Sequence, residues 1–334
     1  MAETILITGG AGFIGSNLVH RWHRNFPEDH ILVLDKLTYA ADRSQIEGLE
    51  GVELVVGDVQ NLELARYLIE KRGVTKLFHL AAESHVDRSI TGPAEFIQTN
   101  LVGTFSMLEA ARQAWAGDRD CRFLHVSTDE VYGSLGETGK FSETMAYAPN
   151  SPYSASKAGS DHLVRAYHHT YGLNTVTTNC SNNYGPRQHP EKLIPLAISR
   201  MVKGEPIPIY GDGQNVRDWL YVEDHCAALE TVMLKGAAGE TYCVGGNNER
   251  TNLELIDLLC DAVDRHLGRE AGTSIKLKTF VQDRAGHDRR YAIDATKIRK
   301  TLGWKAAEPF LTAVAKTVQW YLPLETVTSA EGLR

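Results

Sequence analysis

Five short β-branched runs punctuate the first part of the chain, at residues 4–8, 31–34, 52–56, 77–80 and 123–127. Between them, residues 16–24, 62–72 and 99–114 carry apolar side chains at helical spacing. A further helical stretch at 154–171 leads to a sixth strand candidate at 174–179. Strand and helix alternating this often predict an α/β fold, a doubly wound parallel sheet with helices on both faces.

Beyond about residue 180 the pattern changes. Turn residues cluster at 182–186, 204–208, 211–214 and 245–248, and helical spacing returns at 191–203, 222–234 and 251–267. This predicts a smaller, mixed α/β part packed on the sheet. The expected division is residues 1–180 and 181–330, with some elements, about 222–234, returning to the first part. No repeat or low-complexity tract interrupts the chain, and its last dozen residues read as a loose tail.

Composition narrows the function classes. Apolar residues make up 43% and charged residues 23% of the 334, which is ordinary globular usage and excludes disorder. Thirty-five basic against 42 acidic residues give a net charge of −7 with no basic block, which argues against nucleic acid or an anionic membrane as the main partner. No apolar run approaches the roughly 18 residues of a membrane span. Met1-Ala2-Glu3-Thr4 passes straight into a strand without a basic n-region, so no signal peptide is expected. The five cysteines, Cys121, Cys180, Cys226, Cys243 and Cys260, never pair as C-x-x-C and read as buried thiols in a reducing compartment. A soluble, cytoplasmic protein is expected.

The first candidate chemistry lies at the first strand. Thr4-Ile5-Leu6-Ile7-Thr8 leads into Gly9-Gly10-Ala11-Gly12-Phe13-Ile14-Gly15-Ser16 and then a helix. Such a turn lets bare backbone approach a pyrophosphate, whose charge then sits at the helix N-terminus. Glycines alone are most often a plain turn; the preceding strand and following helix are the confirming context. Twenty residues past Gly15, Asp35 ends the second strand. A carboxylate there accepts from both ribose hydroxyls and repels a 2′-phosphate, favouring NAD over NADP, while an ordinary turn role is the alternative. Asp58, ending the third strand, is a weaker candidate for the adenine edge.

Two further segments carry reactive groups. Ser127-Thr128-Asp129-Glu130-Val131-Tyr132-Gly133 follows the fifth strand, at the carboxyl edge where open α/β sheets place ligands. Tyr153 and Lys157 stand at i, i+4 on one helix face. Beside a dinucleotide turn, a lysine cation and an oxidised nicotinamide both favour phenolate, so Tyr153 is a candidate base. Bringing a phenol from about 10 to near 7 takes roughly 4 kcal/mol. Asp129 and Glu130 suit an elimination, one as the acid for a leaving hydroxyl and one as the base for a carbon-bound proton. Neighbouring carboxylates raise one another's pKa, which keeps Asp129 protonated. His162, His168 and His169 share a helix without a carboxylate or cysteine to complete a metal site, so no metal is expected.

The glycine turn, Tyr153 and Lys157 resemble the extended short-chain dehydrogenase/reductase family, with its Rossmann-type sheet. Thr128-Asp129-Glu130 is similar to the signature of the nucleotide-sugar 4,6-dehydratases within it. The likeness covers nearly the whole chain and includes residues 80–89, 181–186, 190–195, 215–219 and 283–291. Two departures stand out: Ala285, where the family has proline, and Arg187-Gln188-His189, where an aromatic residue often follows the proline.

The resemblance implies dTDP-glucose as substrate, NAD as cofactor and a homodimer paired through residues 99–114 and 154–171. It implies cofactor contacts at Gly9, Gly12, Phe13, Ile14, Gly15, Asp35, Lys36, Leu37, Thr38, Asp58, Val59, Leu80, Ala81, Ala82, Ser84, Thr99, Tyr153, Lys157 and Asn183. Substrate contacts fall at Ser84, Thr128, Asn182, Lys192, Leu193, Pro208, Ile209, Tyr210, Arg217, Asn252, Asp283, Arg284 and His287. The implied catalytic set is Thr128, Asp129, Glu130, Tyr153 and Lys157. A 4-epimerase would have no use for Asp129 and Glu130, and a GDP-mannose dehydratase should prefer NADP, which Asp35 disfavours. A non-catalytic NAD-binding scaffold would not need the Tyr153/Lys157 pair.

Overall fold

The structure, a computed structural model, describes residues 2–118, 120–283 and 287–322. The first part supplies six strands: β1 (Thr4–Thr8), β2 (His30–Asp35), β3 (Val52–Val56), β4 (Val74–His79), β5 (Arg122–Thr128) and β6 (Thr175–Cys180). The second part adds six more: β7 (Asn182–Tyr184), β8 (Ile207–Tyr210), β9 (Val216–Tyr221), β10 (Thr241–Val244), β11 (Glu249–Thr251) and β12 (Lys278–Val281). The helices are α1 (Phe13–Asn25), α2 (Leu62–Lys71), α3 (Val86–Thr91), α4 (Pro93–Phe96), α5 (Gly103–Trp115) and α6 (Pro152–Tyr171). They continue with α7 (Leu193–Lys203), α8 (Val222–Lys235), α9 (Asn252–His266), α10 (Thr296–Leu302) and α11 (Phe310–Tyr321). The tail expected over the last dozen residues lies outside the described residues.

Seven strands form one parallel sheet in the order β10-β6-β5-β4-β1-β2-β3. Ile5 faces Ile31 on one side of β1, and Leu6 faces Leu77 on the other. The chain winds outward from β1 in both directions, and that reversal opens a crevice at the carboxyl ends of β1 and β4. Ile5, Leu6, Ile7, Ile31, Leu32 and Val33 are fully buried. Such unbroken apolar runs, instead of alternation, mark a sheet covered on both faces. One cover is α1 with α8, through Leu18, Trp22, Leu229 and Val232. The other is α2, α5 and α6, through Leu68, Met107, Leu108 and Val164.

Helix α8 and strand β10 belong by sequence to the second part, yet they complete the sheet's layers: β10 runs parallel to β6, with Thr241 opposite Thr177. The remainder of the second part packs α7, α9 and α11 around Ile198, Met201, Ile256, Leu259 and Val314. Two small sheets face the crevice, one ordered β11-β9-β7 and one pairing β12 with β8.

The helix expected at 99–114 is interrupted. Residues Ile97–Val102 form a π-helical turn ahead of α5, and its buried Asn100 is turned inward to the loop after β4. Gly103 follows, where an added Cβ would stand 2.7 Å from Val59 Cγ2. A π turn at a functional edge is a recurring device.

At the sheet centre Phe78 on β4 is wholly buried, edge-on to Trp22 at 5.2 Å. Phe78→Ala should cost about 3–5 kcal/mol, read as a lower urea midpoint at unchanged slope.

Candidate active site

The chain leaves β1 through Gly9, whose φ of +71° is left-handed. A Cβ there would sit 2.8 Å from the Ala81 nitrogen, and at Gly15 only 2.1 Å from the Gly9 carbonyl oxygen. Only bare backbone closes this turn. It opens into α1, which has no side-chain cap and no acidic residue in its first turn. The Gly12 N–H donates to the Gly9 carbonyl at 3.1 Å, and the leading N–H groups of Phe13 and Ile14 are left to an outside acceptor, so that the cradle fits the pyrophosphate of a dinucleotide.

Asp35 is 8% exposed, and its two oxygens accept from the Ala11 N–H at 3.0 Å and the Leu37 N–H at 2.8 Å. Burial pushes its carboxyl up, and these two bonds pull it back. Its first task is therefore to tie the glycine turn to the loop after β2, a role the sequence reading held only as an alternative. Each oxygen keeps a further lone pair. Leu37 turns with a φ of +56°, and exposed Thr38 follows. Lys36 pairs with Asp58 at 2.8 Å. Burial pushes Asp58 up, but the Gln60 N–H and the Lys36 ammonium outweigh it, leaving that carboxyl below its ordinary value. Val59 is core, packed on Gly103. The N–H groups of Leu80 and Ala81 both donate to Thr8 Oγ1, at 3.2 and 3.1 Å. Ala82 and Ser84 continue that loop, half-buried Thr99 lies on the π turn, and Asn183 accepts at 2.9 Å from His225 Nδ1. The candidate cofactor residues thus line the carboxyl edge of the sheet.

Next to them β5 ends at Thr128, whose hydroxyl accepts from the Glu130 N–H at 3.3 Å and caps the 3₁₀ turn Asp129–Tyr132. Helix α6 enters through a capping box of Ser151 and Ser154 with Pro152 in its first turn, which places Tyr153 at the helix mouth. One turn on, Lys157 is 3% exposed and its Nζ donates to the Val126 carbonyl at 2.9 Å. The Thr128 hydroxyl lies beside the Tyr153 phenol and favours its ionised form. Thr128, Asp129, Glu130, Tyr153 and Lys157, separate in sequence, meet at one strand end.

The charges here are set by dryness. Asp129 is 1% exposed, and its Oδ2 has no hydrogen-bond partner among the described residues. Burial first, then Glu130 and Asp218, hold its carboxyl well above the usual range, against the pull of Arg217. Burial draws the Lys157 ammonium down to about 8, with Asp161 and Cys180 opposing. The expectation of a phenol lowered by Lys157 needs correction for the protein by itself. Burial and the facing Glu130 hold Tyr153 well above its ordinary value, and the lysine is turned to a carbonyl.

Across the crevice, Arg217 on β9 is 5% exposed and donates to the carbonyls of Val216 at 2.8 Å and Asp288 at 2.9 Å. Lys192 Nζ donates to the Ser84 carbonyl at 3.3 Å, and Leu193 begins α7. On β8, Ile209 is core, so its side chain is closed to a ligand, whereas Tyr210 is exposed and Pro208 lies between the two extremes. Asn182 Oδ1 is buried without a hydrogen-bond partner, and the Asn252 N–H donates to the Asn215 carbonyl at 3.1 Å. Asp283 pairs with His287 at 2.6 Å. Arg284 and the departure at Ala285 lie outside the described residues. Arg187 holds Asn17 Oδ1 at 2.9 Å and lies over Trp320, while His189 bonds the Tyr39 carbonyl at 3.1 Å. His162 is exposed, and His168 bonds the Leu173 carbonyl. Among the described residues no three His, Cys, Asp or Glu side chains converge on a metal position, and no helix is long and apolar enough to cross a membrane.

Four residues at the site escaped the sequence reading. Asn100 accepts from the Glu83 N–H at 2.8 Å and donates to the Glu83 carbonyl and to Ser156 Oγ, tying the loop after β4 to α6. Asp161, His125 and Asn179 form a buried cluster behind Lys157. Only Asp161 carried a signal, its i+4 spacing from Lys157.

Comparison with known proteins sharpens the reading. The family model described as GDP-mannose 4,6 dehydratase matches residues 6–317. The chain belongs to this family. It is 55% identical over 333 residues to the dTDP-glucose 4,6-dehydratase of Xanthomonas campestris pv. campestris strain B100, covering 97% of this chain and 94% of that protein. It is 52% identical to dTDP-glucose 4,6-dehydratase 1 of Escherichia coli K12, covering 95% and 92%. Among solved structures of the same fold, DesIV, a dTDP-glucose 4,6-dehydratase from Streptomyces venezuelae with NAD bound, superposes with a TM-score of 0.87 at 44% identity, covering 95% and 96%. The UDP-glucose 4-epimerase of Thermotoga maritima superposes at 0.86 with 27% identity, covering 97% and 99%. The family's fold is thus shared with epimerases, and the groups at the end of β5 must separate the chemistries.

Because the folded-state pKa of Asp129 lies above its unfolded value, its protonated form contributes stability at low pH that is lost as pH rises through the folded pKa. Infrared difference spectra at neutral pH should show a protonated carboxyl band that disappears in Asp129→Asn. The variant should also gain stability relative to the native chain as pH is raised.

Proposed function

We propose that this chain is an NAD-dependent hydro-lyase that converts dTDP-glucose to dTDP-4-keto-6-deoxyglucose, a step of deoxysugar synthesis. The observation that carries the reading is the acidic pair at the end of β5, where Asp129 is buried beside Glu130 and burial pushes its carboxyl well above the usual range. Chemistry confined to C4 has no use for this additional acid and base. The relatives named for dTDP-glucose support the substrate.

The glycine turn and Asp35 would hold NAD, which would supply the acceptor, and when reduced the donor, of the hydride this conversion moves. The positive charge of an oxidised nicotinamide, added to the Lys157 cation, would favour the Tyr153 phenolate, which would accept the proton of the C4 hydroxyl while Thr128 holds O4. Once C4 is a ketone the C5 proton is acidic, and Glu130 removes it. Asp129 gives its proton to the departing C6 oxygen, which leaves as water. C5 is then reprotonated. Arg217, Lys192, Arg284 and His287 are the charges proposed for the diphosphate, and Asn182, Tyr210 and Asn252 the contacts to sugar or base.

In this reading residues 1–180 hold the cofactor and residues 181–330 the nucleotide sugar, with α8 and β10 returned to the sheet. A homodimer is proposed through the outer faces of α5 and α6, where Phe105 on α5 and Tyr171 at the end of α6 stand exposed. Two such helix pairs around a two-fold axis make a four-helix bundle. Sedimentation should give about twice 37.0 kDa at micromolar concentration. The cytoplasm is the proposed compartment, suited to five cysteines that are all buried and free.

Incubation with dTDP-glucose should yield, by mass spectrometry, a product lighter by one water; an epimer of unchanged mass would sink the assignment. Tyr153→Phe should leave no transient NADH absorbance. Asp129→Asn and Glu130→Gln should keep part of that oxidation but slow water loss by about 10²–10⁴-fold. Asp35 should make calorimetric affinity for NAD exceed that for NADP, and Asp35→Ala should narrow the gap.

A further inference from the structure

Beneath the reacting groups lies a buried ionic cluster without a part in the steps above. Asp161 stands one helical turn past Lys157 on α6, and the two side chains reach consecutive residues of β5. Lys157 Nζ donates to the Val126 carbonyl at 2.9 Å, and Asp161 Oδ1 lies 3.1 Å from His125 Nε2. The other Asp161 oxygen accepts from the Tyr147 hydroxyl at 2.9 Å and from Asn179 Nδ2 at 3.0 Å. The aspartate is 5% exposed and the lysine 3%. An ammonium this dry is costly to keep charged without a counter-charge.

We infer that Asp161 is a positioning residue for Lys157: its buried carboxylate is the counter-charge that holds the lysine cation in place beneath Tyr153. This rests on the oxidising role proposed above for Tyr153 and Lys157.

The groups around the pair leave the negative charge to Asp161. On β5 and β4, burial draws His125 down to about 4 and His79, stacked on it at 5.6 Å, well below its ordinary value, so both rings are neutral. On β6, burial pushes the Cys180 thiol up to about 12. Tyr132 on the 3₁₀ turn and Tyr147 ahead of α6 are likewise raised by burial. Asn179 donates a hydrogen bond to the carboxylate without carrying charge. Burial pushes Asp161 up, yet the adjacent His125 ring first, and then the Lys157 charge, bring it below its ordinary value.

The coupling can be read without turnover. In Lys157→Met the carboxylate loses its partner, so its folded-state pKa should rise above the unfolded one. Relative to the native chain, Tm should then climb as pH falls from about 8 to about 5.5. Melting curves that stay parallel over that range would overturn the inference, whatever reaction the enzyme performs. In Asp161→Asn, Lys157 should shed its proton at lower pH. The alkaline limb of single-turnover C4 oxidation should move down, with at least about tenfold more rate lost at pH 8 than at pH 6. Asp161→Glu, which keeps the charge, should restore the native limb. A uniform loss across pH in Asp161→Asn would mark a merely structural residue and also defeat the proposal.

Discussion

Helix α6 lies along β5 through polar bonds as much as apolar packing, and the geometry of the crevice follows from that contact. Val164 and Tyr167 anchor the far end of the helix in the core. At the near end the bonds are Lys157 to the Val126 carbonyl and Asp161 to His125. Asn100 adds a third element, since it bonds the backbone of Glu83 in both directions and also Ser156, whose hydroxyl donates to the Tyr153 carbonyl at 2.7 Å. The loop after β4, the π turn and the mouth of α6 therefore move together or not at all. A phenol, an ammonium and two carboxyls gathered from two elements need that rigidity.

The same region holds polar atoms that the protein leaves unmatched. Ser127 Oγ, Asp129 Oδ2, Ser181 Oγ and Asn182 Oδ1 are buried without a hydrogen-bond partner. In a folded core each would cost stability, so four of them beside the reacting groups mark a surface built for something other than itself. Groups already fixed and already dry need no reorganisation when charge develops on a substrate. The unmet atoms and the raised carboxyl of Asp129 are two aspects of one arrangement.

Much of this was legible in the chain. The strands β1 and β2 show because a sheet buried on both faces demands continuous apolar runs, β3 to β6 show by their β-branched residues, and the glycine turn shows because no side chain fits there. The adjacent pair Asp129 and Glu130 is readable for its rarity at a strand end. The strands of the second part, three to six residues each, carry no periodicity of their own. The spacing of Phe310, Ala313, Val314, Thr317 and Val318 is that of a buried helix face and was readable, though not read. What no sequence pattern conveys is proximity and dryness. Asp35 binds the Ala11 N–H because two strands lie side by side, and Tyr153 holds its proton because water is absent.

The last strand of the sheet is β10, which is made only after the chain has left the sheet and built β7, β8, β9 and α8. Until then β6 is an open edge with unpaired backbone, and until α8 is made Val176 and Trp22 lack the side chains that cover them. A fragment ending at residue 180 is therefore an incomplete sheet with a sticky margin and not a free-standing nucleotide-binding module. On the ribosome, closure of the first part must wait for the second, so the two halves of the crevice are born as one cooperative unit. Inheritance follows the same rule: a gene fusion or domain swap that respects the apparent boundary would sever the sheet from its own final strand.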